Sequence, residues 1–373
     1  MRVLHIINNL GSGGAEKLIE EILPLLNKID GIRADVLLLT DSKNVYQKSL
    51  ESKGISVNVI SLNNIYNPLN IFMIKKFVEE GKYNIVHSHL FPSQYWVGLI
   101  KILLKSKNIK FVTTEHSNNN RRRGKSYIRP LDKYIYSKYD YVVCITERVR
   151  LNLVRWIKPK TKDLNKFIVI HNGVDINKYK EAVQYAKSEI NSTFTEKTKL
   201  ISMVGRFFEA KDQPTLIKAM KKLPKDIHLL LIGEGPLKPQ NERLAKEIGL
   251  ENRVHFLGFR NDIARILKTS DIVVLSSNWE GLSLSSIEAM ASGKPFVASK
   301  VEGLEEVVGD YGLLFENGNP EELFNILKKL LDDDGFYKEI STKCSIRAED
   351  FDINYMVSAL LSTYNKLQNG IIK

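Results

Sequence analysis

The sequence predicts an α/β protein of two domains, each built on a doubly wound parallel sheet. Short apolar segments alternate with amphipathic ones, which is the pattern of βαβ units. The alternation runs twice, because the polar segment 176–197 separates a series that ends near Asn172 from one that starts at Leu200. A length of 373 residues also exceeds one ordinary core. We therefore predict domains at 1–174 and 175–352, with 176–197 as the linker.

The predicted strands are short, β-branched and bounded by polar residues, as buried parallel strands are. They lie at 2–7, 34–40, 56–62, 84–90, 109–116, 140–146 and 167–172 in the first series, and at 200–206, 228–233, 254–259, 271–277, 295–299 and 312–315 in the second. The predicted helices carry apolar residues at helix spacing. They lie after Gly14, at 69–80, 93–104 and 127–138, from Asp212, at 238–248, from Asp262, after Ser283, at 304–308, from Pro320 and at 353–367.

Composition indicates a soluble globular protein, with 43% hydrophobic and 26% charged residues. The sequence has neither a run of eighteen apolar residues nor a charged-then-apolar leader, so we expect a cytoplasmic protein that is not secreted and does not span a membrane. Cys144 and Cys344 fall in different predicted domains. We expect both to be small core residues in a reducing compartment.

The net charge of +12 is unevenly distributed. Residues 1–172 contain 28 Lys and Arg against 14 Asp and Glu, whereas the remainder contains 27 against 29. This asymmetry points to an anionic partner of the first half, such as a phosphorylated lipid, a membrane surface or nucleic acid. Nucleic acid is not expected, because the sequence shows neither a recognition helix nor an RNP-like aromatic motif.

The most informative stretch is 276–295, SSNWEGLSLSSIEAMASGKP. It follows a predicted buried strand, turns at Gly281 and opens a helix with Ser283, which ends near Gly293. A strand, a turn and a helix N-terminus together place free N–H groups and a partial positive charge at the carboxyl edge of a sheet. Phosphate-bearing ligands bind at such an edge.

Two carboxylates frame this stretch, Glu280 in the turn and Glu288 on the helix. Helix geometry separates them by more than a turn, so they are not a pair of the kind that hydrolyses glycosides. Each instead suits hydroxyl groups in a different part of one long ligand. The alternative is that both only serve helix electrostatics.

A glycine-rich loop, GSGGAE at 11–16, follows the first strand and opens a helix. Backbone at Gly13 and Gly14 can approach a pyrophosphate closely. Glu16 stands where a GxGxxG fingerprint has its third glycine, and no acidic residue follows at the usual distance. We therefore expect no nicotinamide cofactor and no hydride-transferring dehydrogenase.

Three histidines of the first domain, His87, His89 and His116, are considered as ligands or site residues. His87 and His89 share one strand face, and His116 ends a strand at the carboxyl edge where ligands bind. With no third ligand nearby in the sequence, we expect His87 and His89 to be structural or to line the site rather than to bind metal. His116 is a candidate site residue, the alternative being an ordinary loop histidine.

The stretch 118–138 mixes basic and aromatic residues. Arg121, Arg122, Arg123 and Arg129 accompany Tyr127 and other aromatics. Such a mixture is typical of a membrane-interface segment or of a lid over an anionic acceptor. The alternative is a solvated loop followed by an ordinary amphipathic helix.

These motifs, in this order, resemble the retaining glycosyltransferases of family 4. The resemblance rests on the E-x7-E element Glu280–Glu288 with its EAMASGKP tail, the GxGGAE loop, Val204-Gly205-Arg206 with Lys211, and Asn172-Gly173-Val174-Asp175. It covers nearly the whole chain. It implies a GT-B fold, in which two Rossmann-like domains face a central cleft and the C-terminal helix, 353–373, crosses back to the first. Leu282 and Ser283 depart from the commoner Phe and Gly.

The resemblance also implies roles for individual residues. Arg206 and Lys211 grip the donor pyrophosphate with Gly13 and Gly14, while His116 lies near the transferred sugar. The sugar hydroxyls and phosphates meet Glu280 and the main chain of Gly281, Leu282, Ser283 and Leu284. Glu288 holds the ribose, and the main chain of Leu257, Gly258 and Phe259 reads the nucleobase.

The activity implied is retaining, metal-independent transfer of a hexose or N-acetylhexosamine from a nucleotide sugar, with a UDP-sugar favoured. No metal and no cofactor are expected, because Arg206 and Lys211 neutralise the leaving diphosphate. Together with the basic first half, this predicts a polyprenyl-diphosphate-linked glycan acceptor at the inner face of the cytoplasmic membrane of a bacterium, in assembly of lipopolysaccharide, capsule or another cell-surface polysaccharide. The alternatives are a small soluble acceptor, or a GT-B epimerase or hydrolase of sugar nucleotides.

Overall fold

The chain folds into two compact units. Unit 1 is Met1–Gly173 with the C-terminal residues from Ile353 onward, and unit 2 is Val174–Asp352. The structure, a computed structural model, describes residues 1–62, 64–104, 108–117 and 121–370, without the side chains of Arg121 and Arg122. Residues 118–120 of the basic-aromatic stretch and 371–373 of the C-terminal segment lie outside the described residues.

Unit 1 contains a seven-stranded parallel sheet with the order β3-β2-β1-β4-β5-β6-β7. Its strands are β1 (Arg2–Ile7), β2 (Arg33–Leu38), β3 (Val57–Val59), β4 (Ile85–His89), β5 (Lys110–Glu115), β6 (Tyr141–Cys144) and β7 (Phe167–Val169). Its helices before the unit boundary are α1 (Gly14–Asn27), α2 (Gln47–Ser52), α3 (Asn70–Gly81), α4 (Ser93–Leu103), α5 (Arg129–Ser137) and α6 (Glu147–Ile157). Short 3₁₀ turns at Arg121–Gly124 and Ser126–Ile128 precede α5.

Unit 2 contains a six-stranded parallel sheet with the order β10-β9-β8-β11-β12-β13. Its strands are β8 (Lys199–Val204), β9 (Ile227–Ile232), β10 (Val254–Gly258), β11 (Ile272–Leu275), β12 (Phe296–Ser299) and β13 (Leu313–Phe315). Its helices are α7 (Ile176–Lys180), α8 (Lys187–Ile190), α9 (Gln213–Ala219), α10 (Lys238–Glu247), α11 (Ile263–Thr269), α12 (Leu284–Ala291), α13 (Glu302–Val308), α14 (Pro320–Asp332) and α15 (Asp334–Glu349). The prediction of two doubly wound, Rossmann-like parallel sheets is confirmed.

The last helix, α16 (Ile353–Gln368), belongs to unit 1 and packs against α1. Tyr364 on α16 is buried and shares a hydrogen bond of 2.6 Å with His87 Nδ1 on β4. The chain passes between the units at two adjacent points, because Val174 N donates to the Phe351 carbonyl at 2.9 Å.

The linker prediction for 176–197 is wrong, because this segment is part of unit 2. It forms α7 and α8, and Tyr179 and Phe194 are 0% and 3% exposed. Phe194 packs in the core with Leu200 and Leu230. Two well-placed aromatic rings therefore anchor a segment that has few other large apolar residues.

The prediction that both cysteines are small core residues is confirmed. Cys144 and Cys344 are free thiols and fully buried. Burial raises the pKa of the Cys344 thiol to about 12 and also raises that of Cys144. Neither is a nucleophile at neutral pH.

Candidate active site

Both sheets reverse their strand order at one point, where doubly wound folds bind ligands. In unit 2 the reversal lies between β8 and β11, and in unit 1 it lies between β1 and β4. The crossover helices leave toward opposite faces of the sheet at such a point, and this opens a crevice at its carboxyl edge. Arg206 and Lys211 follow β8, and Glu280 follows β11. The sequence-predicted donor residues of unit 2 therefore meet at its switch point.

The loop after β8 carries both predicted cations. Arg206 is exposed, and its guanidinium carbon lies 5.1 Å from the ring centre of Phe208. Lys211 closes a 3₁₀ turn, and its side chain is only 17% exposed. The loop thus offers one solvent-facing and one partly buried positive charge.

Two glycines that the sequence analysis did not single out shape this loop. Gly233 and Gly235 follow β9, and a Cβ at these positions would lie 2.3 and 2.4 Å from the carbonyl oxygens of Gly205 and Phe207. Gly233 also has a φ of +144°. A larger side chain at either position would displace the cationic loop. The G-x-G spacing directly after a predicted strand was the signal that could have identified them.

Glu280 lies in a turn that is tied to the cationic loop. Asn278 donates from its backbone and its side chain to two carbonyls of the 3₁₀ segment, at 2.8 and 2.6 Å. Lys211 Nζ contacts the Glu280 carboxylate, which also accepts from Ser277 Oγ at 2.8 Å. The contact compensates two partly buried charges. An anion that engages Lys211 must therefore compete with Glu280.

The predicted helix N-terminus is present, and α12 begins at Leu284 with Ser283 as its N-cap. The Ser283 side chain does not cap this end, because Ser283 Oγ hydrogen-bonds Ser285 Oγ at 3.0 Å instead. The main chain of Gly281, Leu282, Ser283 and Leu284 therefore brings the first N–H groups of the helix to the switch point. A Cβ on Gly303 would lie 1.8 Å from the Gly281 carbonyl oxygen, so the start of α13 packs tightly on this turn.

Glu288 lies on α12 and is 2% exposed. A buried carboxylate is costly unless it is hydrogen-bonded.

The helix ends, as predicted, near Gly293, which has a φ of +74°.

The predicted nucleobase segment ends the edge strand β10. Gly258 has a φ of +68°, and its carbonyl accepts from Gly233 N at 2.9 Å. A Cβ on Gly258 would lie 2.9 Å from Glu234 Oε1. Leu257 packs against the core, whereas the Phe259 ring is 38% exposed. This segment is therefore joined through Gly233 to the cationic loop.

In unit 1, Gly13 is the N-cap of α1 and Gly14 is the first residue of that helix. The Glu16 carboxylate folds back over Gly13, because a Cβ there would lie 2.2 Å from Glu16 Oε2. A Cβ on Gly14 would meet no atom within 4 Å. Asn8 Nδ2 donates to the Phe91 carbonyl at 2.8 Å, which ties this loop to the one after β4.

Four histidines of unit 1 form one cluster behind this edge. His5 on β1 pairs in register with His87 on β4. His5 Nδ1 lies 3.0 Å from His89 Nε2, and His89 Nδ1 lies 3.1 Å from His116 Nε2. The rings of His5, His87 and His89 are buried, while His116 is partly exposed. Burial lowers the pKa of His5 to about 3 and that of His116 to about 4, and it lowers those of His87 and His89 well below the ordinary value.

His5, His87 and His89 lie close enough together to be considered as metal ligands. The expectation that no third ligand lies near His87 and His89 is therefore wrong, because β1 brings His5 beside them. The hydrogen bonds argue against a metal. His87 uses both ring nitrogens, on Tyr364 and Thr114. His89 uses both as well, on His5 and His116. Among the described residues, this leaves only His5 Nε2 of the six nitrogens without a hydrogen bond.

Lowering the pH from 6.5 to 5 is expected to destabilise the protein. Between pH 6.5 and 5 the unfolded chain binds more protons than the folded one. Buried histidines such as His5 and His116 stay neutral in the folded state until the pH approaches 4 or below. Each of these histidines lowers the free energy of unfolding by about 2 kcal/mol at pH 5. His255 in unit 2, with a pKa lowered to about 4 by burial, adds to it. Urea unfolding at stepped pH measures the effect, and a constant free energy of unfolding from pH 6.5 to 5 would contradict it.

The described part of the basic-aromatic stretch presents an outward apolar stripe. Tyr127, Leu131 and Tyr134 are 74%, 48% and 46% exposed, and their spacing places them on one side of α5 and the turn before it. Lys138 Nζ lies 4.1 Å from the ring centre of Tyr134. The acidic residue of α5, Asp132, instead faces inward.

Arg123 does not join this outward surface. Its guanidinium forms an ion pair of 2.9 Å with Glu115, and its side chain is 11% exposed. The expectation that Arg123 belongs to a membrane-interface segment or to a lid over an anionic acceptor is therefore corrected, because the buried carboxylate of Glu115 at the end of β5 turns the arginine inward. The side chains of Arg121 and Arg122 lie outside the described residues.

Comparison with known proteins agrees with this arrangement. Residues 12–178 match the family described as Glycosyltransferase Family 4, and residues 186–349 match the family described as Glycosyl transferases group 1. The fold is similar to that of HepE from Anabaena, crystallised with UDP and glucose, with a TM-score of 0.84 at 22% identity, over 98% of this chain and 100% of that one.

Two curated relatives have stated activities. N-acetylgalactosamine-N,N'-diacetylbacillosaminyl-diphospho-undecaprenol 4-alpha-N-acetylgalactosaminyltransferase of Campylobacter jejuni is 28% identical, covering 93% of this chain and 94% of the relative. N-acetyl-alpha-D-glucosaminyl L-malate synthase of Bacillus anthracis is 27% identical, covering 74% of each. The two family matches together span both sheets, and the chain therefore belongs to the family-4 glycosyltransferases, which have the GT-B fold.

Proposed function

We propose that this glycosyltransferase is retaining and metal-independent, and that it moves a hexose or N-acetylhexosamine from a UDP-sugar to a lipid-diphosphate-linked glycan in cell-surface polysaccharide assembly. The observation that carries the donor assignment is the switch point of unit 2. Two cations, a helix N-terminus and two carboxylates follow β8 and β11 there. This combination suits a diphosphate with hydroxyl groups on either side of it.

In the proposed donor complex, Arg206 and Lys211 hold the diphosphate together with the first N–H groups of α12. Lys211 leaves Glu280 for the phosphate, which frees the Glu280 carboxylate to accept hydroxyl hydrogen bonds from the sugar. Glu288 accepts from the ribose, and the main chain at Leu257–Phe259 meets the base. UDP is preferred because the similar Anabaena protein was crystallised with UDP. Gly13, Gly14 and His116 are the proposed contributions of unit 1.

The proposed reaction is front-face substitution. The bond between the anomeric carbon and the diphosphate oxygen breaks, and the acceptor oxygen bonds to that carbon from the same face. The acceptor proton passes to the leaving diphosphate, so no side chain has to act as nucleophile or base. Negative charge builds up on the diphosphate as the bond breaks, and Arg206 and Lys211 stabilise it. Two fixed positive charges can supply the neutralisation that a divalent ion supplies in other enzymes.

The acceptor proposal rests on the Campylobacter relative and on the outward face of α5. The first half of the chain carries the basic excess, and the face formed by Tyr127, Leu131 and Tyr134 is bordered by Lys125 and Lys133. Aromatic rings beside basic side chains suit the headgroup region of an anionic leaflet. Among the described residues, no helix is long and apolar enough to cross a bilayer. From the basic and aromatic face of α5, we propose that the protein binds peripherally at the inner face of the cytoplasmic membrane.

A small soluble acceptor is the second candidate. The Bacillus anthracis relative, whose name specifies malate as its acceptor, supports it. The same donor site serves both candidates, so only the acceptor differs.

Binding of UDP in the presence of EDTA is the expected result for the donor site. Isothermal titration calorimetry with UDP, GDP and ADP, each with EDTA and then with excess Mg²⁺, measures it. We expect UDP to bind with the same affinity in both conditions. Absence of all binding in EDTA, with recovery in Mg²⁺, would refute the metal-independent proposal.

Flotation with liposomes tests the membrane proposal. The protein should float with vesicles that contain phosphatidylglycerol, and it should not float with neutral vesicles or at 0.5 M salt. Each basic residue contributes about 1 kcal/mol near such a surface. The triple substitution Lys125→Gln, Arg129→Gln, Lys133→Gln should therefore reduce binding about 100-fold or more.

The matched control removes the same charge from exposed lysines of unit 2, as Lys197→Gln, Lys221→Gln, Lys225→Gln. It should float like the unsubstituted protein. Equal losses of liposome binding in both triple variants would show that binding depends only on the net charge of the protein. If the unsubstituted protein did not float at low salt, the soluble acceptor would be favoured.

A further inference from the structure

Three histidine rings form a hydrogen-bonded row that runs from the sheet interior to its carboxyl edge. His5 Nδ1 is 3.0 Å from His89 Nε2, and His89 Nδ1 is 3.1 Å from His116 Nε2. His5 and His89 are 0% and 2% exposed, so bulk solvent does not reach their ring nitrogens. His116 is the outer member, and its Nδ1 has no hydrogen bond to another described residue. The row therefore ends at the carboxyl edge of the unit 1 sheet.

Only two proton arrangements satisfy this row. Burial lowers the pKa of all three rings, so each is neutral and carries one N–H. His89 can donate to only one neighbour and must accept from the other. Either His116 Nε2–H donates inward and His5 carries its proton on Nε2, or His5 Nδ1–H donates outward and His116 carries its proton on Nδ1.

The surroundings of His5 Nε2, at the inner end of the row, decide between the two proton arrangements. His5 Nε2 is buried and has no hydrogen-bond partner among the described residues. The inward arrangement would place an N–H there with no acceptor, whereas the outward one leaves only a lone pair. Orphaned buried N–H groups are rarer in proteins than unsatisfied acceptors. The outward arrangement is therefore the more stable.

We propose that His5 and His89 are positioning residues that fix the proton of His116 on Nδ1. His116 Nε2 then accepts from His89 and cannot take a proton from substrate. Its Nδ1–H is a directed donor at the carboxyl edge, suited to an oxygen of the transferred sugar. This agrees with a reaction in which the leaving diphosphate receives the acceptor proton. The catalytic consequence rests on the proposed role of His116, but the tautomer does not.

Nitrogen-15 NMR of the full chain labelled at its seven histidines tests the tautomer directly. Long-range proton–nitrogen correlation spectra distinguish protonated from bare ring nitrogens, and His116→Gln assigns the signals of His116. At pH 7 we expect a protonated Nδ1 and a bare Nε2 at His116. A protonated Nε2 in the unsubstituted protein would overturn the proposal without any variant having to fold.

His5→Asn tests the transmission through the row, because the side-chain amide offers His89 Nε2 either a donor or an acceptor and so satisfies both proton arrangements. His116 should then become a mixture of tautomers, although it does not hydrogen-bond to residue 5. We expect kcat to fall in proportion to the remaining Nδ1–H fraction, about twofold for an equal mixture, with the donor KM unchanged. Tyr364→Phe is the control, because it removes a hydrogen bond from His87 in the same cluster and none from the row. It should leave the His116 tautomer and kcat unchanged.

The outcomes separate the two proposals. If His116→Ala leaves transfer unchanged while the Nδ1–H tautomer is observed, the catalytic role of His116 fails and the positioning stands. If His5→Asn leaves the His116 tautomer pure, the positioning role of His5 is refuted, whatever the activity of His116→Ala.

Discussion

Replacing Lys211 by alanine is expected to lower kcat about 100- to 1,000-fold, the usual cost of removing one electrostatic contact to developing charge. Donor affinity should also fall, by the roughly 1.5–3 kcal/mol of a charge-assisted hydrogen bond. The structure adds a second reason, because Lys211 is the cation that contacts Glu280, and both side chains are less than one fifth exposed. Without Lys211, the Glu280 carboxylate remains partly buried without this partner.

The control for this variant is Lys221→Ala, which removes an equal charge from an exposed position in unit 2. It should leave kcat and the donor KM within twofold of the unsubstituted enzyme. Steady-state kinetics with varied UDP-sugar, together with UDP calorimetry, measure both variants. A Lys211→Ala enzyme with unchanged kcat would show that another group neutralises the diphosphate.

The second large effect is a difference between the two carboxylates. Glu280→Gln should lower kcat about 100-fold, because contacts to the reacting sugar ring change as charge develops. Glu288→Gln should raise the donor KM about tenfold with little change in kcat, because ribose contacts are alike in the ground and transition states. The placement of Glu280 beside Lys211, with Glu288 on the helix beyond it, is consistent with this division.

The amide in each variant keeps the shape of the side chain, so unfolding transitions should stay close to that of the unsubstituted protein. The pair Glu242→Gln and Glu247→Gln, on the outer helix α10, provides charge-matched controls. If both active-site variants changed only KM, and to the same extent, the division of roles would be wrong.

The sequence was most informative where one short stretch forms a complete supersecondary unit. Residues 271–293 could be assigned as strand, turn and helix, because Gly281, Ser283 and Gly293 mark each boundary with a residue of distinct backbone preference. The two-fold repetition of βαβ units was equally clear, because buried parallel strands are continuous apolar runs. Both features are local.

The features that sequence reasoning missed depend on distant pairing. His5 stands 82 positions before His87, and only the adjacency of β1 and β4 brings the two together. Glycines at 233 and 235 matter because their loop lies against another loop. Their G-x-G spacing marks a tight turn, but it does not identify the neighbouring loop. Glu115, on β5, forms the ion pair that turns Arg123 inward. In each case the deciding partner lies in another element.

We propose that this family-4 enzyme transfers a sugar from a UDP-sugar to a lipid-diphosphate-linked acceptor without a metal. The most direct test is mass spectrometry of a reaction containing EDTA, a panel of UDP-, GDP- and ADP-sugars, and a polyprenyl-diphosphate-linked N-acetylhexosamine. We expect the acceptor to gain one hexose or N-acetylhexosamine from a UDP-sugar, with the donor's anomeric configuration retained, and no donor turnover when the acceptor is omitted. Turnover of the donor without an acceptor, or transfer only after Mg²⁺ is added, would contradict the account.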